Sequence, residues 1–165
     1  MIILKIYYHI IAIIKKDLYK IIYGKHIKFG KKVTFRKGFS LVIEDNAVVE
    51  IGEGCFFNNY CSINAKVGIK IGENSIFGEN VKLYDHNHIF KYEDELIKKQ
   101  GFKSEKIEIG NNCWLGSNVV ILKGVKVGNN SVVGAGEVVS RNIDSNTLLK
   151  NGSENNIKYV RRENA

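Results

Sequence analysis

The sequence predicts an all-β fold: a coil of short parallel strands, preceded by one helix and interrupted by one long excursion. From Ile27 onward, no long stretch keeps the 3.6-residue period of an amphipathic helix. Hexads such as IGENSI, LGSNVV and VGNNSV repeat a Gly at the second place and a small or β-branched residue at the fifth. Three hexads would make one triangular turn, with each first residue pointing inward. The apolar residues at that spacing are Ile51, Phe57, Ile63, Ile71, Phe77, Leu83, Ile109, Leu115, Ile121, Val127, Val133 and Val139.

Composition favours one basic, globular domain. The 165 residues are 44% hydrophobic and 25% charged, which suffices for one substantial core and differs from a disordered chain. Lys plus Arg total 25 against 17 Asp plus Glu, a net charge of +8 that favours anionic partners. The basic residues lack the interleaved aromatics of a nucleic-acid-binding module, so no nucleic-acid partner is expected. Three Cys are too few for a disulfide framework, which indicates a reducing, cytoplasmic location.

Residues 1–26 are predicted to form an N-terminal element, an amphipathic helix over residues 2–22 followed by a linker. Its apolar run is interrupted by Lys5 and His9, so it is too short to span a bilayer. It also lacks the small-residue cleavage site of a secretory signal. We expect the helix to pack against the body of the protein. The alternative is peripheral contact with the inner membrane surface, with its lysines near anionic headgroups: Lys5, Lys15, Lys16 and Lys20.

Residues 27–158 are predicted to form the coil and residues 159–165 a C-terminal tail. From Ile109 the hexads run without interruption. Each of the earlier coils is predicted to contain three hexads plus a short bulge. The basis is equal spacing: Ile43, Ile63 and Leu83 are taken as equivalent residues of successive coils, and so are Ile51 and Ile71. The three Cys all occupy the fifth place of a hexad and are expected to be small core residues without a metal or nucleophilic role: Cys55, Cys61 and Cys113.

The repeat breaks once, and the break predicts a functional site. The hexad that begins at Leu83 is followed by the next one only at Ile109, far beyond the usual step of one hexad, which places a loop at residues 89–106. Long excursions on a minimal scaffold are usually functional. His86 and His88 lie where the loop departs, beside Asp85, and an imidazole oriented by a carboxylate suits general-base chemistry at neutral pH. A zinc site is less favoured, because no third His lies in the repeat region.

Together these features resemble the left-handed β-helix hexapeptide-repeat acyltransferases, specifically the galactoside and maltose O-acetyltransferases and relatives that acetylate bacterial surface polysaccharides. The resemblance covers about residues 27 to 158 and rests on DHNH, then GNNCWLGSNV, then VVGAGEVVS, in that order. It implies a left-handed parallel β-helix and a homotrimer with active sites between adjacent subunits. It also implies transfer of acetyl from acetyl-CoA to a sugar hydroxyl, without a metal.

The resemblance assigns roles by position. The catalytic His falls at His88, with His86 in reserve and Asp85 or a backbone group orienting the imidazole. Asn58 matches the residue that binds the acceptor, and Trp114 the aromatic residue that closes the site. The matches to the acetyl-CoA site are Trp114, Ser117 with its backbone amide aimed at the thioester oxygen, Ala135, Ser140 and Arg141.

The expected function is therefore O-acetylation of a carbohydrate, with a surface polysaccharide as the biological acceptor. One alternative is an N-acetyltransferase for an amino sugar or a small amine, which would use the same coil and the same base. An alternative from another class is a non-catalytic β-helix that binds or supports a partner. The chain departs from the family pattern near its end, where NGSE at residues 151–154 replaces a GNPA-type segment and Asn155 replaces the basic residue that follows.

Overall fold

The computed structural model describes residues 2–44 and 46–157. They form one long helix, α1 (Ile2–Tyr23), two single 3-10 turns (Gly24–His26 and Ile97–Lys99) and nineteen strands. In chain order the strands are β1 (Ile27–Phe29), β2 (Thr34–Phe35), β3 (Ser40–Ile43), β4 (Val48–Ile51), β5 (Phe56–Phe57), β6 (Ser62–Ala65), β7 (Gly68–Ile71), β8 (Ile76–Phe77), β9 (Lys82–Tyr84), β10 (His86–His88), β11 (Phe102–Ser104), β12 (Ile107–Ile109), β13 (Trp114–Leu115), β14 (Val120–Ile121), β15 (Lys126–Val127), β16 (Val132–Val133), β17 (Val138–Val139), β18 (Thr147–Lys150) and β19 (Ser153–Asn156).

Parallel strands stack into three sheets that form the faces of the coil. Sheet A has the order β1-β4-β7-β12-β15, sheet B contains β2-β5-β8-β13-β16-β18, and sheet C has the order β3-β6-β9-β14-β17. Each full coil therefore gives one strand to each sheet, and each strand pairs with the equivalent strands of the coils above and below. This confirms the predicted parallel β-helix of hexapeptide repeats with an N-terminal helix and one excursion.

The strand register confirms most of the predicted spacing and corrects one part of it. Ile63 pairs with Leu83, and Ile109 pairs with Val127, as the predicted coils require. The prediction that Ile43 corresponds to Ile63 is wrong, because the partner of Ile63 is Leu41 and the first coil is therefore longer than the second. Leu41 and Ile43 both point inward from β3, so apolar character alone did not distinguish them. The extra length lies in the turn between β3 and β4.

Aromatic side chains fill the first coils of the core. Phe35 stacks on Phe39 with ring centroids 4.4 Å apart, and Phe57 stacks on Phe77 at 4.3 Å. Phe39 and Phe57 join the two pairs at 5.1 Å. The later coils use Leu, Ile and Val at the same inward positions, all of them buried. The core is thus one continuous column along the coil.

We expect Phe57→Ala to lower the free energy of unfolding by about 3–5 kcal/mol, because it removes a fully buried ring and leaves a cavity between two others. Phe90→Ala is the matched control, since Phe90 is 76% exposed and its removal should cost less than about 0.5 kcal/mol. Chemical denaturation followed by circular dichroism measures both. Equal losses for the two variants would contradict the proposed core.

The turns explain why Gly and Asn recur in the hexads. A Cβ at Gly78, a second-place residue, would lie 2.5 Å from the backbone nitrogen of Ser117 in the next coil, so only Gly permits the coils to approach. Asn130, a fourth-place residue, has φ +57°, a left-handed conformation that Asn tolerates better than most residues. Its side chain also joins a ladder of amides between Asn112 and Asn146.

The three cysteines are buried, as expected, and each thiol donates a hydrogen bond to a glycine carbonyl of a neighbouring coil. Cys55 bonds to Gly72 at 3.0 Å, and Cys61 and Cys113 make the equivalent contacts. Burial raises the pKa of all three thiols, that of Cys55 to about 11. They act as small core residues that tie adjacent coils together.

We expect the native thiols to react slowly with a thiol reagent. Because the pKa of Cys55 is about 11, only about one thiol in a thousand is ionised at pH 8, and the group is also shielded by burial. Labelling should proceed at least about 100-fold faster in denaturant than in buffer. Mass spectrometry after timed labelling gives both rates, and rapid labelling of the native chain would contradict the burial.

Helix α1 covers the first coil, in agreement with the expectation that it packs against the body. The amine of Lys16 donates to the Val33 carbonyl at 2.9 Å, and the Tyr23 hydroxyl donates to the Leu41 carbonyl at 3.0 Å. Ala12 is fully buried in the contact. Carbonyls that lack a preceding coil are satisfied in this way. In the part of the chain that the structure describes, no helix is long and apolar enough to cross a membrane.

The other end of the coil is formed by a hairpin. β18 pairs antiparallel with β19 around Asn151 and Gly152, which both have positive φ, as a two-residue hairpin turn requires. The NGSE segment therefore belongs to this hairpin. Lys158 and the predicted tail at residues 159–165 lie outside the described residues, as does the side chain of Lys5.

Candidate active site

The excursion is a hairpin that begins earlier than the loop predicted at residues 89–106. β10 pairs antiparallel with β11, so that His86 lies opposite Ser104 and His88 opposite Phe102. Both imidazoles contact the Phe102 ring, His86 edge-on at 5.3 Å and His88 at 4.3 Å between centroids. Residues two apart on a strand point to the same side. The two histidines therefore share one face of the hairpin, at the point where it leaves the coil.

Asp85 is a fully buried carboxylate whose hydrogen bonds are satisfied by the chain around it. It accepts bonds from the backbone amides of Lys66, Val67 and Gly68 at 2.7–3.0 Å. These amides belong to the turn between β6 and β7, one coil earlier. The remaining contact is the Nδ1 atom of His86, 2.9 Å from a carboxylate oxygen. A buried charge is stable when it is paired in this way.

The partner of Asp85 corrects the expectation that it orients His88. The carboxylate holds His86 through Nδ1, which leaves Nε2 of the same ring as the nitrogen available to a substrate. The His86 side chain is only 16% exposed. The His88 ring is exposed and contacts Phe102, and no hydrogen bond to it is found within residues 2–44 and 46–157. The local geometry thus favours His86, the second choice from sequence, over His88 as the candidate general base.

Two shallow cavities border the histidines. One, of about 390 Å³, is lined by Tyr84, His86, Asn87, His88 and Phe90. The other, of about 340 Å³, shares Asn87, His88 and Phe90 with the first and is also lined by Phe102, Lys103 and Lys123. Their positions, beside a conformationally fixed imidazole, suit a small polar acceptor and an anionic donor.

The predicted site residues lie at two corners of the coil. We call the stacked turns between sheets B and C the BC corner, and those between sheet C and the next strand of sheet A the CA corner. Asp85 and both histidines lie at the CA corner, because the excursion replaces a turn there and returns with the amide of Glu105 bonded to the Asp85 carbonyl at 2.9 Å. Two cofactor-site candidates occupy the same corner in a later coil: Ser140 and Arg141.

The remaining candidates lie elsewhere in the coil. Asn58, Ser117 and Ala135 occupy the BC corner, and Trp114 is 53% exposed on the outer face of sheet B. Sheet C separates the two corners, and its strand β6 has four residues, a width of about 13 Å. The Asn58 side chain accepts a hydrogen bond from Arg36 at 3.3 Å and does not contact either histidine. One subunit therefore does not bring the predicted catalytic and acceptor-binding groups together.

Comparison with known proteins places the fold in one family. Residues 106–141 match the hexapeptide repeat of succinyl-transferase. An Escherichia coli (strain K12) protein named as a lipopolysaccharide biosynthesis O-acetyl transferase, WbbJ, is 32% identical over 130 residues, covering 74% of this chain and 66% of that protein. The chain belongs to the hexapeptide-repeat acyltransferase family. Galactoside O-acetyltransferase of the same strain is 38% identical over 100 residues, which cover 61% of this chain and 48% of the relative.

Solved structures of hexapeptide-repeat acyltransferases superpose on most of the chain. A galactoside acetyltransferase in complex with coenzyme A has a TM-score of 0.67 and 28% identity, covering 87% of this chain and 68% of that one. An acetyltransferase from Vibrio cholerae O1 biovar eltor, complexed with acetyl-CoA, has a TM-score of 0.72 and 23% identity over 88% of this chain and 78% of its own. The chain spans about half to two thirds of the curated relatives described above.

Arg141 has a different environment from the one the family resemblance implies. Its guanidinium donates to a Glu154 carboxylate oxygen at 3.0 Å and to the Gly152 carbonyl at 3.0 Å. The substituted NGSE segment thus supplies the partner that holds this side chain. For Arg141 to reach a nucleotide phosphate, the exposed ion pair to Glu154 must open, which costs less than about 1 kcal/mol.

Sequence reasoning missed the three amides that hold Asp85 and the ring between the histidines. The amides follow from register, because Asn64 pairs with Tyr84 and the residues after each strand must therefore be neighbours. The regular spacing of the early coils contained this signal. Phe102 lies far beyond His88 along the chain, in a segment without repeat, and only the folded hairpin brings them together. No group of three His, Cys, Asp or Glu that could hold a metal occurs among the residues described.

Proposed function

We propose that the protein transfers an acetyl group from acetyl-CoA to a carbohydrate hydroxyl, with His86 as the general base. The observation that carries this proposal is the His86 imidazole held through Nδ1 by a buried, fully bonded Asp85 at the mouth of the excursion. Such a pair fixes the tautomer that presents a basic Nε2 to an alcohol. The acetyltransferase names of the relatives and the CoA and acetyl-CoA complexes of the similar structures support the choice of reaction.

The reaction proceeds by direct transfer. His86 Nε2 takes the proton of the acceptor hydroxyl while the hydroxyl oxygen bonds to the thioester carbonyl carbon. A backbone amide donates a hydrogen bond to the carbonyl oxygen and stabilises the negative charge that develops on it. The carbon–sulfur bond then breaks, and the CoA sulfur takes the proton from the imidazolium. The products are the sugar ester and free CoA, and the base is restored. No covalent enzyme intermediate is required, and the buried cysteines with raised pKa values are poorly placed to form one.

Acetyl-CoA fits the exposed residues of both corners. At the BC corner Ala135 is exposed, and a Cβ added to Gly136 would meet nothing within 4 Å, so a pantetheine arm can lie against the backbone there. Ser117 offers its amide nearby, where the Gly136 amide bonds to the Ser117 carbonyl. At the CA corner Ser140 is exposed, and Lys123, whose amine is paired with Glu105 at 3.2 Å, lies beside the excursion.

The active site is shared between subunits in this proposal. The CA corner of one chain supplies His86, and the BC corner of its neighbour supplies Asn58 for the acceptor. The outer face of sheet B favours such a contact, because an apolar column runs down it through Phe56, Ile76 and Trp114. The outer face of sheet A instead carries ion pairs such as Lys28–Glu50, typical of a surface left in water. A homotrimer with three equivalent sites satisfies both faces.

The acceptor class is a sugar of a bacterial surface polysaccharide, and the reaction takes place in the reducing cytoplasm. The named role of WbbJ in lipopolysaccharide biosynthesis supports this acceptor. The three unpaired cysteines fit that compartment. An amino group would react by the same geometry, and the relative rates of hydroxy and amino sugars distinguish the two acceptor classes.

A transfer assay tests the proposed reaction. The full chain is mixed with acetyl-CoA and with matched pairs of hydroxy and amino sugars, and CoA release is compared with acetylated product by mass spectrometry. We expect product with hydroxy sugars at least about tenfold faster than with the amino analogues. Faster N-acetylation would replace the O-acetyl assignment. Neither hydrolysis nor transfer with any acceptor would favour a non-catalytic β-helix.

A further inference from the structure

Helix α1 is amphipathic in the reverse of the usual sense. The side that touches the coil contains Ala12, Lys16, Tyr19 and Tyr23. The amine of Lys16 and the hydroxyls of the two tyrosines donate hydrogen bonds to carbonyls of the first coil. The side that points away is apolar except for Asp17, whose carboxylate pairs with Lys20 at 3.4 Å, and its aliphatic residues are 44–83% exposed. They are Ile3, Ile6, Ile10, Ile13, Ile14, Leu18, Ile21 and Ile22. We call this set the outer face of α1.

The outer face lies where a repeat protein normally needs polar residues. The terminal unit of a solenoid buries one side against its neighbour and presents a polar side to water, which keeps the chain soluble. Here Ile3 and Ile21, near the two ends of the helix, are 83% and 81% exposed. Contiguous apolar patches of this kind mark a surface that contacts a partner or a membrane.

Positive charge is concentrated at the same end of the molecule. Residues 1–37 carry ten Lys and Arg against one Asp, whereas the remainder of the chain carries fifteen basic and sixteen acidic residues. The net charge of +8 therefore arises entirely from the helix and the first coil. Lys20, Lys25 and Lys31 are all exposed. An apolar strip beside a dense positive field is complementary to an anionic lipid surface.

We propose that α1 docks flat on an anionic phospholipid bilayer, with its outer face at the boundary between headgroups and acyl chains. The helix is 22 residues long, and it lies in the plane of the interface rather than crossing it. Exposed lysines of this end, such as Lys20, Lys25 and Lys31, contact the headgroups. The first coil then lies nearest the membrane, and the excursion hairpin lies farther from the membrane along the coil axis.

Charge argues against a second copy of the chain as the occupant. An end-to-end contact would be self-complementary, so the ten basic residues of one copy would face the same ten of the other. Repulsion of that kind opposes association. A cyclic trimer about an axis along the coil, which rests on the proposed function, would instead place three outer faces at one end. Three simultaneous contacts with one bilayer would strengthen docking further.

Vesicle binding of the full chain tests this proposal without any use of acetyl transfer. The probes are vesicles of phosphatidylcholine alone and vesicles of phosphatidylcholine with about 30 mol % phosphatidylglycerol, and flotation in a density gradient measures binding. We expect the protein to float with the anionic vesicles and to remain largely free with the neutral ones. Binding should weaken as salt is raised.

Two variants separate the apolar and the ionic contributions. Ile10→Gln, Ile14→Gln and Ile21→Gln together should lower partitioning into the vesicles at least about 100-fold, because three aliphatic side chains that enter the bilayer in this proposal are lost. Lys20→Gln with Lys25→Gln should lower it about 30-fold on anionic vesicles only. Gln keeps helix propensity high. The matched apolar control replaces exposed residues far from the helix and should bind as the parent does: Leu96→Gln, Ile97→Gln and Val138→Gln.

Circular dichroism and size-exclusion chromatography are run on every variant. Three outcomes would overturn the proposal: equal binding to neutral and anionic vesicles, full binding by the folded triple Gln variant, or no vesicle binding by the parent. If the triple Gln variant also splits a larger assembly while the parent ignores vesicles, the outer face is an interface between copies. Vesicle binding by a chain that fails the transfer assay would leave docking intact and overturn only the proposed reaction.

Discussion

Replacement of His86 by Ala is expected to lower the turnover of acetyl transfer by about 10²–10⁴-fold, the usual contribution of a general base. The reason is that Asp85 fixes this ring at Nδ1, and in the proposed mechanism its Nε2 takes the proton of the attacking hydroxyl. The KM for acetyl-CoA should change little, since the imidazole acts on the acceptor. Initial rates of CoA release with the best hydroxy sugar measure the effect.

His88→Ala is the matched control, because His88 lies on the same strand and contacts the same Phe102 ring, and no carboxylate of the described residues bonds to it. We expect its rate to fall less than about tenfold. Activity lost in His88→Ala and kept in His86→Ala would restore the assignment made from sequence. Asp85→Asn should lower the rate in the same direction as His86→Ala and should add little to it in the double variant, because Asp85 acts through His86.

Mixing two inactive variants is expected to restore activity, because the proposed catalytic and acceptor-binding groups lie at opposite edges of sheet C. His86→Ala and Asn58→Ala chains, unfolded together in equal amounts and refolded, form mixed trimers. Over all the trimers that form, unmixed ones included, about one quarter of the sites combine an intact His86 from one chain with an intact Asn58 from its neighbour. The mixture should therefore regain about a quarter of the parent rate, and each variant refolded alone should regain none.

The control for complementation is the same mixture prepared without unfolding, in which the subunits do not exchange. If the refolded mixture stays as inactive as its components, the site is contained in one subunit and the shared-site proposal fails. Size-exclusion chromatography with light scattering confirms that the variants keep the oligomeric state of the parent, so that a loss of assembly is not mistaken for a missing residue.

The repeat could be predicted from sequence because each hexad position meets one physical demand. Ile63 and Leu83 had to be apolar because they face the core, and Gly78 had to lack a Cβ because the next coil approaches it so closely. Cys113 could be placed in the core from its position alone. These demands recur along the chain, so they leave a periodic signal that a single sequence contains.

Elements without repetition were harder to predict. Ile43 was matched to the wrong coil because β3 has two inward apolar residues, Leu41 and Ile43, and nothing local ranks them. The hairpin at Asn151 and Gly152 was missed although an Asn-Gly pair is a strong turn signal, because the segment was compared with a family motif instead. For the outer face of α1, the sequence supplied an apolar run but not the side that packs.

By itself, the sequence determined the coil, the place where the coil opens and the two candidate histidines. Only the tertiary structure showed that the Asp85 carboxylate pairs with His86 and that Phe102 contacts both imidazole rings. It also showed that Asn58 and His86 lie at different corners of the coil and that the apolar side of α1 faces away from it. The reason is physical: a period is written in neighbouring residues, whereas a hydrogen-bond partner depends on segments brought together from distant coils. Asp85 illustrates this, since its position was evident in the chain but the amides that hold it come from the preceding coil, at Lys66, Val67 and Gly68.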